Sequence, residues 1–224
     1  MMQRKLDAVL FDLDNTLLDR DRSFDVFAEM LARHYFPGET PERHRFIAGQ
    51  LRAADMDGYK DKHELFRELP DMLSWAGAPA ADELFAFYSR HYPEQATLME
   101  AAEELLDYCG ERYRLGLITN GGSDVQNRKI DRLGIRARFG AVVVSGDVGI
   151  RKPDPAIFRL ALSLLDVLPE RALYIGDHPR NDMAGACEAG LHTVWFERNQ
   201  PWDNAISAVP LRKTKSLREL IGWL

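Results

Sequence analysis

Short apolar runs that alternate with helical patterns organise most of this chain. Ala8-Val9-Leu10-Phe11 is a continuous apolar run of strand length, the pattern of a strand buried on both faces. Four more runs follow: Leu115-Gly116-Leu117-Ile118, Ala141-Val142-Val143-Val144, Leu173-Tyr174-Ile175 and Thr193-Val194-Trp195-Phe196. Helical patterns separate most of them. Residues 101–109 stop at Gly110, 123–133 at Gly134, and 182–189 at Gly190, each glycine a helix-stop signal. Residues 155–165 follow Asp154 as N-cap, with Pro155 at the first helical position. Strands that alternate with helices predict an α/β fold with a parallel sheet covered on both faces.

The rhythm breaks between residues 19 and 93, where the pattern is helical throughout. Phe24, Phe27, Ala28, Leu31 and Tyr35 fall at helical spacing, as do Leu84, Phe85, Tyr88 and, less cleanly, His91. Pro37-Gly38, Pro70 and Gly77-Ala78-Pro79 punctuate the segment. A helical insert of roughly 75 residues is large enough for a small domain. The expected division is a core from residues 1–18 and 94–224, and an insert from 19–93.

Composition narrows the function. With 224 residues and 46% hydrophobic content the chain has material for one large domain, or one domain with an insert. A net charge of −6 argues against a general nucleic-acid binder. Small anionic substrates remain compatible, because a local site can be positive on an acidic protein. Cys109 and Cys187 show neither metal-ligand spacing nor a disulfide framework. Met-Met-Gln-Arg-Lys leads directly into the first strand with no signal-peptide pattern, and no apolar run approaches a membrane span. A cytoplasmic protein is expected. Arg212, Lys213 and Lys215 read as solvated surface.

The candidate chemistry lies at strand ends, where open α/β sheets bind ligands. After the first strand come Asp12-Leu13-Asp14-Asn15-Thr16. Two carboxylates so close need a divalent cation or a shared proton, although aspartates in a turn also solvate loops and cap helices. The second strand ends in Thr119-Asn120-Gly121-Gly122 with Ser123 opening a helix, a hydroxyl and backbone N–H set that suits an anion. An ordinary turn with Ser123 as N-cap is the plainer alternative. Lys152-Pro153 follows the third strand, and an ammonium there could neutralise a phosphate, although an isolated lysine is usually solvated. The fourth ends in Gly176-Asp177-His178-Pro179-Arg180-Asn181-Asp182. Asp177 could complete an oxygen-ligand Mg2+ site with the first pair, and Asp182 could cap the next helix.

These four motifs, in this order and over essentially the full length, resemble the haloacid dehalogenase superfamily of phosphotransferases. The resemblance implies a Rossmann-like core and an inserted helical cap of the C1 type. It implies that Asp12 attacks phosphorus to form an aspartyl-phosphate, and that Asp14 serves as general acid and then general base. Mg2+ would be held by Asp12, Asp14 through its backbone carbonyl, and Asp177. Thr119 and Lys152 would bind the phosphoryl oxygens, Asn120 and Gly121 would shape the cradle, and Asp182 would either join the metal side or orient Lys152. The expected function is a Mg2+-dependent phosphatase for a small phosphorylated metabolite: a nucleotide, phosphoglycolate or a sugar phosphate. No nucleic-acid polymer or membrane is expected as partner.

Asp14 favours this over dehalogenation, since a halide leaves without a proton whereas an alkoxide needs one. A sugar-phosphate mutase shares the same core and is the nearest alternative. A phospho-aspartate signalling switch is the non-enzyme alternative; such domains usually lack the acid at plus two, the large cap and the later Gly-Asp motif. Asp57, Tyr59 and Lys60 are weak specificity candidates in a polar turn; His178 could support Asp177 and Arg22 could reach a substrate anion, although exposed surface is the plainer reading of both, and Trp195 and Trp202 read as packing residues.

Overall fold

The structure is a computed structural model that describes residues 6–224; the leaderless start expected of Met1 to Lys5 lies outside them. Among the described residues six strands form one sheet: β1 (Ala8–Phe11), β2 (Arg114–Thr119), β3 (Ala141–Val144), β4 (Ala172–Gly176), β5 (His192–Phe196) and β6 (Arg212–Thr214). Their order is β3-β2-β1-β4-β5-β6, and all neighbours are parallel. The four residues of β1 are fully buried, which explains their unbroken apolar run. The chain adds strands on one side of β1, then crosses to add β4, β5 and β6 on the other. The resulting switch point lies between β1 and β4, the place where such sheets open a crevice at their carboxyl ends.

The helices are α1 (Arg20–Tyr35), α2 (Pro41–Asp55), α3 (Lys62–Met72), α4 (Ala81–His91), α5 (Ala102–Gly110), α6 (Ser123–Arg132), α7 (Ser145–Val148), α8 (Pro155–Leu165), α9 (Gly185–Glu188) and α10 (Arg218–Ile221). Asp154 caps α8 by accepting from the Ala156 amide at 2.9 Å. The apolar face of α8 packs on β2 and β3, and Phe158 meets Tyr174 edge-on at 5.0 Å. Helix α5 packs on β2, with α10 against it. The α/β reading with a parallel Rossmann-like sheet therefore holds.

The chain separates into two compact units. One contains the residues through Asp19 together with Leu98–Leu224, the other Arg20–Thr97. In the first, residues 13–18 double back on themselves: the amides of Thr16, Leu17 and Leu18 all donate to the Leu13 carbonyl, with Asn15 at φ 62°. The second is a helical unit built on α1 to α4. Phe24, Phe27, Leu51, Phe66, Leu84 and Tyr88 are buried in it, and Tyr88 stacks on Tyr92 at 5.1 Å. At its turn between α2 and α3, the buried Asp55 carboxylate accepts from the Gly58 amide at 2.8 Å and pairs with Arg20 at 2.6 Å and Lys62 at 2.9 Å.

Arg212 and Lys213 lie in β6, an edge strand paired with β5, and keep their side chains at the surface as the sequence suggests, Lys213 53% exposed. Three sequence expectations need correction. Pro70 sits inside α3 in its last turn and does not end it. Ser123 is the first residue of α6, and Gly122 occupies the capping position. The helix after β4 begins at Pro179, not Asp182, and opens as a wide π-type turn over Pro179–Ala184. Its cap is His178, whose Nδ1 accepts from the amides of Arg180 and Asn181, so Asp182 lies within the helix.

Candidate active site

The sheet delivers five charged or polar side chains to its carboxyl edge. Asp12 continues β1 by one residue, its amide donating to the Ile175 carbonyl of β4 at 2.9 Å. Thr119 is the last residue of β2, Lys152 lies beyond β3, and Asp177 follows β4. Asp182 returns on the wide turn that follows. All five are at most 5% exposed. Burying so many polar groups is costly unless they satisfy one another.

They do so around Lys152. Its ammonium contacts Asp12 Oδ1 at 2.5 Å, Asp182 Oδ1 at 2.6 Å and the Tyr174 hydroxyl at 3.0 Å. The other Asp182 oxygen accepts from the His178 amide at 2.9 Å. Both oxygens of Asp182 are therefore engaged, one of them on the lysine. Gly176 makes this approach possible, since a Cβ there would lie 2.6 Å from the Asp182 carboxyl carbon.

Two carboxylates share one ammonium, so the group carries surplus negative charge. Burial pushes the Asp12 carboxyl from 3.8 up to about 7; the Lys152 charge pulls it back, and Asp182 and Asp14 add to the rise. Burial works against the Lys152 charge as well, but Asp12 and Asp182 outweigh it and hold the ammonium above its ordinary value. Burial raises the Tyr174 phenol well above 10, so it remains a hydroxyl. Asp12 Oδ2 is buried and accepts no hydrogen bond. Carboxylate oxygens of Asp12, Asp177 and Asp182 all lie within 4.8 Å of one another. Surplus negative charge, oxygen donors and an unpartnered oxygen fit a hard divalent cation. The Trp195 indole steadies this wall by donating to the Asp177 carbonyl at 2.8 Å, a bond beyond the packing role read from sequence.

Asp14 belongs to a second network. Its Oδ1 accepts from Lys129 Nζ at 2.8 Å, and its Oδ2 from Gln126 Nε2 at 2.8 Å. The same Gln126 nitrogen lies 2.6 Å from Thr119 Oγ1, tying the hydroxyl at the end of β2 to the second aspartate. Gly121 leaves the room: its φ is 150°, and a Cβ there would lie 2.6 Å from Gln126 Cγ. Asn120 makes a reciprocal pair with the Lys152 backbone, donating to its carbonyl and accepting from its amide, both at 2.9 Å. Its amide therefore fastens the Lys152 loop to the end of β2.

The structure thus brings Asp12, Lys152 and Asp182 into one network, and Asp14 and Thr119 into another. Three participants were not foreseen: Gln126, Lys129 and Tyr174. The sequence marks Tyr174 only as a strand residue. Gln126 and Lys129 stand one turn apart on α6, both buried. Of the weaker candidates, Tyr59 is exposed and Lys60 pairs with Glu64 and Glu68.

Comparison with known proteins agrees with this architecture. Residues 9–196 match the family model of haloacid dehalogenase-like hydrolases. The chain is 37% identical over 163 residues to a phosphoserine phosphatase of Thermus thermophilus, which covers 71% of this chain and 63% of that protein. It is 29% identical over 198 residues to a glyceraldehyde 3-phosphate phosphatase of Pyrococcus furiosus, covering 87% and 82%. Among solved structures, the HAD hydrolase YfnB of Bacillus subtilis, bound to magnesium, matches with a TM-score of 0.74 at 25% identity, covering 98% of this chain and 99% of that one. Among the described residues no helix is long and apolar enough to cross a membrane. On its motifs, its sheet and this match across most of its length, the chain belongs to the haloacid dehalogenase-like hydrolases.

Proposed function

We propose that this hydrolase is a Mg2+-dependent phosphatase that cleaves a small phosphate monoester through an aspartyl-phosphate on Asp12. The observation that carries the reading is the pairing of two carboxylates with different surroundings. Asp12 is fully inside, on Lys152, with one oxygen unpartnered. Asp14, two residues on, is only partly buried and held by a separate lysine. Groups so differentiated can divide nucleophilic and acid–base roles.

Asp12 Oδ2 would attack phosphorus while Lys152 and the Thr119 hydroxyl hold the phosphoryl oxygens, where charge must be stabilised as the bond order changes. Asp14 would give a proton to the leaving alkoxide, then take one from the water that attacks the aspartyl-phosphate. Asp12, Asp177 and the Asp14 backbone carbonyl would hold the cation, which when bound offsets repulsion between anionic substrate and anionic nucleophile. Asp182, with both oxygens engaged, would orient Lys152. The helical unit of α1 to α4 would be the cap. The substrate class is a nucleotide, phosphoglycolate or sugar phosphate; of the two relatives' names, glyceraldehyde 3-phosphate falls in that class and phosphoserine is a small phosphate monoester outside it. Expulsion of halide requires no proton donor and gives Asp14 no task.

The test is phosphate release from a panel of monoesters with Mg2+ and with chelator. Release that requires Mg2+ and disappears in Asp14→Asn supports the reading. A folded protein that releases no phosphate from any ester under either condition contradicts it.

A further inference from the structure

We infer that Lys129 and Gln126 are positioning residues that hold the carboxylate of Asp14 in the orientation from which it transfers a proton. The inference rests on the phosphatase reading and adds to it two residues outside the four motifs.

The geometry carries it. Both Asp14 oxygens are gripped from one helix: Oδ1 by Lys129 at 2.8 Å, Oδ2 by Gln126 at 2.8 Å and by Lys129 at 3.1 Å. Two donors one turn apart on α6 define the plane of the carboxylate as well as its place. Lys129 is 3% exposed, and a lysine so buried is rare without a specific partner. A carboxylate beside the crowded acidic group at Asp12, Asp177 and Asp182 is repelled toward solvent. Lys129 supplies the opposing attraction, as Lys152 does for Asp12. Gln126 also reaches Thr119 Oγ1 at 2.6 Å, so the same side chain sets the spacing between the proton donor and the hydroxyl at the β2 end.

The consequence is selective. An alkyl phosphate expels a basic alkoxide and depends on a well-placed acid, whereas p-nitrophenyl phosphate expels a stable phenolate and does not. With Mg2+ saturating, Lys129→Met is expected to slow alcohol release from the best alkyl monoester in a single turnover by about 100-fold, at the low end of general-acid contributions. It should slow the pre-steady-state release of p-nitrophenolate from p-nitrophenyl phosphate, which needs no acid, by less than about 5-fold. Lys129→Arg, which keeps the charge, should recover most of the loss. In an Asp14→Asn background Lys129→Met should cost nothing further, because it acts through Asp14.

An equal fall in the leaving-group step of both esters would assign Lys129 a structural or phosphate-binding role and overturn the proposal, as would no fall on either. Multiplying effects in the double variant would also overturn it. A wild type inactive on every ester would instead sink the phosphatase reading beneath it, a result distinct from active wild type with unselective variants. Should Lys129→Met fail to fold, Gln126→Leu provides the same two-ester comparison: a selective fall supports the proposal, and an unselective one overturns it.

Discussion

The two edges of the sheet carry charges of the same kinds in opposite arrangements. At the amino edge, Asp7 just before β1 pairs with Arg171, one acid to one base, with side chains 33% and 39% exposed. Nearby, Arg114 donates to the Leu165 and Asp166 carbonyls and closes the end of α8. Asp7, Arg171 and Arg114 each have a local partner and stay partly exposed. At the carboxyl edge Asp12, Lys152 and Asp182 are buried, two acids share one base, and a carboxylate oxygen is left without a partner. Folding alone explains the first edge. The second is an expensive arrangement for a fold that needs only stability, and it becomes reasonable once a cation and a phosphate complete it.

Asp12→Asn should break this contrast most completely. Turnover should fall by at least about 1,000-fold while the fold persists, and Asp7→Asn at the other edge should leave turnover unchanged in the same steady-state assay. Lys152→Met removes the ammonium that two buried acids share. Loss of kcat by about 100- to 1,000-fold is expected, together with about 3–5 kcal/mol of stability by chemical denaturation in chelator.

Gly121→Ala should be milder and more informative. Its Cβ would press on Gln126 and strain a backbone at φ 150°, so kcat on alkyl esters should fall about 10-fold, as expected for a misplaced acid.

The raised carboxyl of Asp12 also makes a thermal prediction. Its folded value of about 7 exceeds 3.8, so the native state without metal holds a proton that the unfolded chain has released. This contribution to stability is present at acid pH and is lost as pH rises through about 7. The melting temperature in chelator should therefore decline across that window. Mg2+ should raise it most at the alkaline side, where the ionised carboxylate is available. A Mg2+ effect that is largest at acid pH would contradict the assignment. The smallest effect belongs to the amino edge: Arg171→Ala, a half-exposed pair, should cost less than about 1 kcal/mol by denaturant titration.

Much of the carboxyl edge was legible because motif and strand coincide. The boundaries of β1 and β3 follow directly from Ala8-Val9-Leu10-Phe11 and Ala141-Val142-Val143-Val144, apolar because both faces are covered. Strand β6 was not legible. Arg212-Lys213-Thr214 has one strand neighbour and no apolar signature, and only its pairing with Val194-Trp195-Phe196 makes it a strand. The helix start at Pro179 was hidden because a histidine ring nitrogen, not a hydroxyl or carboxylate, supplies the cap.

Gln126 and Lys129 did leave a trace. The inward stripe of α6 runs through Gln126, Lys129 and Ile130, so two of its three buried places are polar. A polar residue on the face that should be apolar points to a partner, and here the partner is the site. Tyr174 left none, because a tyrosine in Leu173-Tyr174-Ile175 is indistinguishable from ordinary strand packing.

The central claim is that Asp12 carries the phosphoryl group while Asp14 serves both steps. Asp14→Asn treated with p-nitrophenyl phosphate tests it most directly, since that ester needs no acid to open and the second step still needs a base. After acid quench, peptide mass spectrometry is expected to find phosphate accumulated on Asp12 in this variant, and little of it in wild type during steady turnover. Phosphate on another residue, or free phosphate released without any covalent adduct, would contradict the account.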